Sequence, residues 1–183
     1  MSKKSIDRKE VLKTLKLRLS EGKTRQEILE ELSEQYFDRK SLSIFIASTP
    51  DQKTIDKYKI LNNILLLLLL LSIAAKTIVG IVLLSSISIF LIPFVFIFSL
   101  VNIFFTIEVS KFKGYIYNIL GILTLAGILK LLSNFDVYGK GILIDVAIGL
   151  VIALLSFYLG RKMFPNYGLF GPKKDANGNM MLE

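Results

Sequence analysis

Three charged residues sit where an apolar chain would be expected to carry none. Lys76 lies inside NNILLLLLLLSIAAKTIVG (residues 62–80), Lys130 near the end of a later apolar stretch, and Asp145 near the start of the last one. A charge set among apolar residues has to pair, reach water or serve an ion. Asp145 is the most demanding of the three. A carboxylate on so short a stem cannot reach the headgroups, so it is expected to pair, hydrogen-bond or titrate. Lys130, across a short loop, is the first expected partner and Lys76 the second. The cluster Lys76, Lys130 and Asp145 would then be either a structural pair that fixes helix register or part of an ion path. One acid and two lysines make a thin set for transport. The sequence also shows no inverted repeat and no pair of Gly/Pro-broken spans, so the structural pair is the preferred expectation. Toward the other end of the apolar region, Asn102 is placed to hydrogen-bond between helices. Glu108 with Lys111 and Lys113 reads as an interfacial cluster of little net energy.

Other chemistry is poorly supplied. The chain has no Cys and no His, which removes thiolate chemistry and the commonest general base and metal ligand. There is no Walker loop, no Gly-x-Ser-x-Gly and no His-Glu-x-x-His. Asp175-Ala176-Asn177-Gly178-Asn179 has the opening of a calcium loop, but its glycine is misplaced and the distal carboxylate is missing; a turn is expected there. No catalytic set, cofactor or metal is expected, and the sequence reads as non-enzymatic.

The elements that must position these residues follow from how charge is distributed. Residues 1–59 hold 14 Lys/Arg and 10 Asp/Glu, whereas residues 60–110 hold only Lys76 and Glu108. This segregation predicts an all-α protein with a small N-terminal cytosolic helical domain and an integral membrane four-helix bundle. Lys76 decides how the spans are divided. If it were a loop, Ile60–Ala75 would be short for a span and Thr77–Ile107 far too long. Placing Lys76 within the first span gives crossings at about 60–83, 89–107, 114–132 and 141–160, with Ser85–Ser88 as a turn. Lys76 then snorkels from near the span's far end. Pro93, one turn into the second span, is expected to kink it. Gly121, Ala126 and Gly127 in the third span, and Gly149 with Ala153 in the fourth, are small enough for close helix contact.

Four crossings put both termini on one side. On that side Lys/Arg near the span ends are abundant: Lys40, Lys53, Lys57, Lys59, Lys111, Lys113, Arg161, Lys162, Lys173 and Lys174. The other side has only Lys140, with Lys76 and Lys130 inside the spans. This bias predicts a cell (inner) membrane protein with both termini cytoplasmic.

Residues 1–49 are expected to form a three-helix head. Ile6, Val11, Leu12, Leu15 and Leu19 share a helical face that Gly22 ends. Thr24-Arg25-Gln26-Glu27 is a capping box, followed by Ile28, Leu29, Leu32 and Tyr36 at helical spacing. Asp38 or Ser41 opens a third helix. Thr49 as cap with Pro50 at the first helical position opens a stem, residues 50–59, continuous with span one. The stretch GKTRQEILEELSEQYFDRKSLSIFI has the outline of a helix-turn-helix. Its third helix offers only Arg39 and Lys40 as cations, which weighs against nucleic acid and favours a small helical bundle or a protein-docking module. Residues 161–183 read as an interfacial tail, with Phe164, Tyr167 and Phe170 at the membrane surface.

The expected function is a membrane scaffold or accessory subunit. Its partners are the lipid bilayer and a protein, or further copies of the chain in a homo-oligomer, held through the head. An oligomeric channel or membrane effector is the alternative, and an immunity or defence protein a weaker one.

Overall fold

A computed structural model describes residues 4–169, 171–174, 180 and 182. Its elements are helical: α1 (Arg8–Ser20), α2 (Arg25–Gln35), α3 (Arg39–Ala47), α4 (Gln52–Ile87), α5 (Ile92–Ser110), α6 (Gly114–Ser133), the single turn α7 (Phe135–Tyr138) and α8 (Ile142–Met163). Four segments, Gln52–Ile87, Ile89–Ser110, Gly114–Ser133 and Ile142–Met163, are long and apolar enough to cross a membrane.

Side-chain caps set the short helices. Asp7 accepts the Lys9 N–H at 2.9 Å and starts α1. Gly22 (φ +86°) takes the left-handed conformation that closes a helix end at little cost. The Thr24–Glu27 capping box is complete: Thr24 Oγ1 accepts the Glu27 N–H at 3.3 Å, and Glu27 Oε2 accepts the Thr24 N–H at 2.8 Å. Asp38 caps α3 through the Ser41 N–H. Val11, Leu15, Ile28, Leu29, Leu32, Leu42 and Ile46 then bury almost completely. Above this core, Glu31 accepts from Arg18 at 2.5 Å and from Lys23 at 2.7 Å.

The start of α4 differs from the sequence expectation. Asp51, not Thr49, is the cap, accepting the Thr54 N–H at 2.6 Å, and Pro50 stays outside the helix. Asp51 wins because its carboxylate is the stronger acceptor for the exposed N–H groups of a helix start. From there α4 runs 36 residues without a break, a length of about 54 Å. Lys76 therefore lies within a continuous helix and is no boundary.

The position of Pro93 is a second correction. It stands at the start of α5, after a 3₁₀ turn at Ile89–Leu91. A first-turn N–H has no intrahelical acceptor, so proline there opens a helix and does not kink it.

Close seams join the long helices. α4 packs on α5 and α8, and α6 packs on α8. Thr77 and Ser99 hydrogen-bond across α4–α5 at 2.9 Å, beside Gly80, where an added Cβ would come within 2.9 Å of Val95. On the α6–α8 seam an added Cβ at Gly149 would meet Ile128 at 3.1 Å, and one at Gly121 would meet the Phe157 ring at 2.7 Å. Gly127 faces open space, and Ala126 is exposed. Away from the seams, Leu67, Leu71, Val82, Phe96, Leu100, Ile144 and Leu154 are exposed. So continuous an apolar surface suits lipid and not water.

Candidate functional site

Several polar groups of the long helices gather around the α5–α6 turn, which bonds to the end of α3. The α5–α6 turn forms the centre. Glu108 is buried at 5% exposure, a position that a carboxylate holds only with partners. It has three. Lys113 Nζ lies at 2.6 Å, Lys111 Nζ at 3.7 Å, and the Tyr115 hydroxyl donates to it. The turn between them is tight, with Phe112 at φ +53°, a left-handed conformation uncommon for a bulky side chain. Directly after it, the Gly114 N–H donates to the Ser48 carbonyl at 3.0 Å. That bond ties the turn to the end of α3. Gly114 also admits the buried Phe164 ring, which an added Cβ would meet at 2.6 Å.

A second network lies one layer deeper. The Tyr117 hydroxyl donates to Asn62 Oδ1 at 2.7 Å, and Asn62 Nδ2 reaches the Val109 carbonyl at 3.4 Å. Three helices, α4, α5 and α6, are thereby fixed in register. Asn118 Nδ2 donates to the Gly168 carbonyl at 2.8 Å, pinning the segment after α8.

Arg25 secures the same end from the α2 side. One terminal nitrogen, Nη1, donates to the Ile46 carbonyl at 2.6 Å and to the Thr49 carbonyl at 2.7 Å. Arg25 thus closes the end of α3 and holds the turn into α4. Burial draws its pKa below the ordinary arginine value, and Asp51 opposes the shift. Asp38, nearby in sequence, stays well ionised. The Ser41 hydroxyl and then the Ser41 N–H hold it below the usual carboxylate range.

Of the residues singled out from sequence, the structure brings Glu108, Lys111 and Lys113 together. It does not bring Lys76, Lys130 and Asp145 together: all three are exposed, and no ion pair joins them among the described residues. The reason is rotational. Ile128 and Gly149 face each other in the α6–α8 seam, and Lys130, two residues past Ile128, is turned about 200° away. Asp145 lies in the first turn of α8, where the helix N-terminus favours a carboxylate without an ion pair. Asn102 is half-buried. Its carbonyl accepts from Thr106 at 2.8 Å, and no interhelical bond of its side chain is found among the described residues. The interhelical polar role falls to Asn62 instead. Asn62 and Asn63 stand side by side in the sequence, and only the rotation of α4 sets the buried one apart from the exposed one.

The segment after α8 is also corrected. Phe164 and Tyr167 are buried, not spread on a membrane surface, and Phe164 packs on Tyr117 with ring centroids 5.4 Å apart. Phe170 and the calcium-loop-like Asp175–Asn179 lie outside the described residues. Among the described residues no three His, Cys, Asp or Glu side chains gather as a metal set would require.

No protein-family model matches the chain, and neither does any curated protein or solved structure.

Proposed function

We propose that this chain is a non-enzymatic polytopic membrane scaffold. Four helices cross the bilayer, and the α1–α3 unit is presented on the same face as the α5–α6 turn and the segment after α8. The Lys/Arg excess on that face supports a cytoplasmic placement in the cell membrane. One observation carries the reading: α1–α3 is joined to the ends of the long helices by more than the connecting chain. Arg25 binds the α3–α4 turn, Gly114 binds Ser48, and α4 runs unbroken from the turn into the apolar region. A mount of this kind suits a protein that holds a partner, or another copy of itself, near the bilayer surface. The test removes residues 4–50 and compares insertion, oligomeric state and co-purifying proteins with the full chain. Insertion retained with partners or self-association lost supports the scaffold; an unchanged set of associations refutes it.

A second reading, an oligomeric channel or membrane effector, has one observation in its favour. Lys76, Lys130 and Asp145 are exposed on the long helices, where a neighbouring copy would bring them partners. Ion flux in liposomes that changes with Asp145→Asn would support it. Tight vesicles at every protein density would remove it.

A further inference from the structure

A cavity of about 1030 Å³ opens between α1, α3, the start of α4 and the α5–α6 turn. This is the upper end of the size range that holds a drug-sized molecule. Its lining has two characters. Leu12, Ile44, Phe45 and Phe112 make an apolar wall, while Lys4, Arg8, Lys16, Lys111 and Lys113 supply positive charge. Against these five cations stands one lining carboxylate, Asp38, already engaged by Ser41. Glu108 binds Lys113 closely, but Lys111 stays 3.7 Å away with its side chain 57% exposed. Lys4, Arg8 and Lys16 are exposed and make no ion pair among the described residues. The cavity also adjoins the turn that joins α5 to α6, at the ends of two of the long apolar helices.

We infer that this cavity binds one anionic phospholipid from the adjoining leaflet. Its phosphate meets Lys4, Arg8 and Lys111, and the first part of an acyl chain lies against Phe45 and Phe112. A soluble phosphate would satisfy the cations and leave the apolar wall wet. A zwitterionic lipid would cover the wall and leave the excess charge unmatched. An amphiphilic anion answers both. The inference rests on the four helices spanning a bilayer, which resistance of each variant to alkaline carbonate extraction reads independently.

The experiment uses the full chain in nanodiscs of equal phosphatidylglycerol and phosphatidylcholine, with retained lipid counted by native mass spectrometry. One phosphatidylglycerol per chain is expected, preferred at least ten-fold over phosphatidylcholine. Neutralising three exposed cations together, Lys4→Gln, Arg8→Gln and Lys111→Gln, should weaken retention roughly a hundred-fold, at about five-fold per charge. Leu12→Trp narrows the cavity with its charges intact and should also expel the lipid; circular dichroism checks that each variant folds. Equal retention of both lipids, or retention that neither variant alters, would overturn the site. Displacement by an equal concentration of glycerol phosphate would overturn the lipid as occupant and assign the cations to a soluble anion.

Discussion

Replacing Arg25 by alanine is expected to loosen the end of α3 and the turn into α4 without unfolding α1–α3 or the long helices. Two hydrogen bonds vanish, those from Nη1 to Ile46 at 2.6 Å and to Thr49 at 2.7 Å. A bond from a charged donor contributes about 1.5–3 kcal/mol, and a cation at a helix C-terminus adds roughly 0.3–1 kcal/mol. Regaining full hydration of the guanidinium in the unfolded state offsets part of this, because the side chain is half-buried. The net loss is about 3 kcal/mol, which corresponds to roughly a hundred-fold faster local opening. Hydrogen exchange in micelles reads it directly: amides of residues 39–55 should exchange about a hundred-fold faster, while those around the buried Leu65 and Leu69 keep their protection. Arg25→Met separates bonding from packing, since it keeps an aliphatic stem and should behave like alanine. Unchanged exchange over residues 39–55, or uniform acceleration along the chain, would show that Arg25 does not hold the end of α3 and the turn into α4.

Three further outcomes follow from the same geometry. Gly114→Ala pushes a Cβ into the buried Phe164 ring at 2.6 Å and should cost about 1–3 kcal/mol. Gly127→Ala meets open space and should be neutral or stabilising by up to about 1 kcal/mol; thermal melting in detergent compares the two. Tyr117→Phe strands the buried Asn62 Oδ1 and should cost about 1–2 kcal/mol in the same assay. Glu31 is held below the usual carboxylate range first by Lys23 and then by Arg18. A depressed folded pKa gives stabilisation that is full above the unfolded value of about 4.3 and lost as pH falls through the folded value. Protection of α1 and α2 should therefore decline below that pH, and Glu31→Gln should flatten the decline.

Local signals were legible in the sequence at most places where a residue acts on its own backbone, the Asp51 cap of α4 being the exception. Thr24 and Glu27 make their capping box, Gly22 closes α1, and the apolar stretches became four helices long enough to span a membrane, with Lys76 inside the first. Rotation was not legible. A helix apolar on all sides has no face that marks its neighbour, so nothing in the sequence showed that Lys130 turns away from Asp145 or that Asn62, not Asn102, bonds across helices. The Pro93 kink failed by a few residues, because a helix start is fixed by the turn that precedes it, and the Ile89–Leu91 turn carried no local signature. The cavity and the Arg25 clamp join residues far apart in the chain, a kind of contact that periodicity does not record.

The chain lacks cysteine, so single cysteines report the membrane face without background. Placed at Lys9, Lys111, Asp136 and Lys173 in sealed vesicles of known orientation, they test the scaffold arrangement most directly. The scaffold arrangement predicts that positions 9, 111 and 173 react with an impermeant maleimide from one side and position 136 only from the other. Labelling of positions 9 and 111 from opposite sides would contradict it.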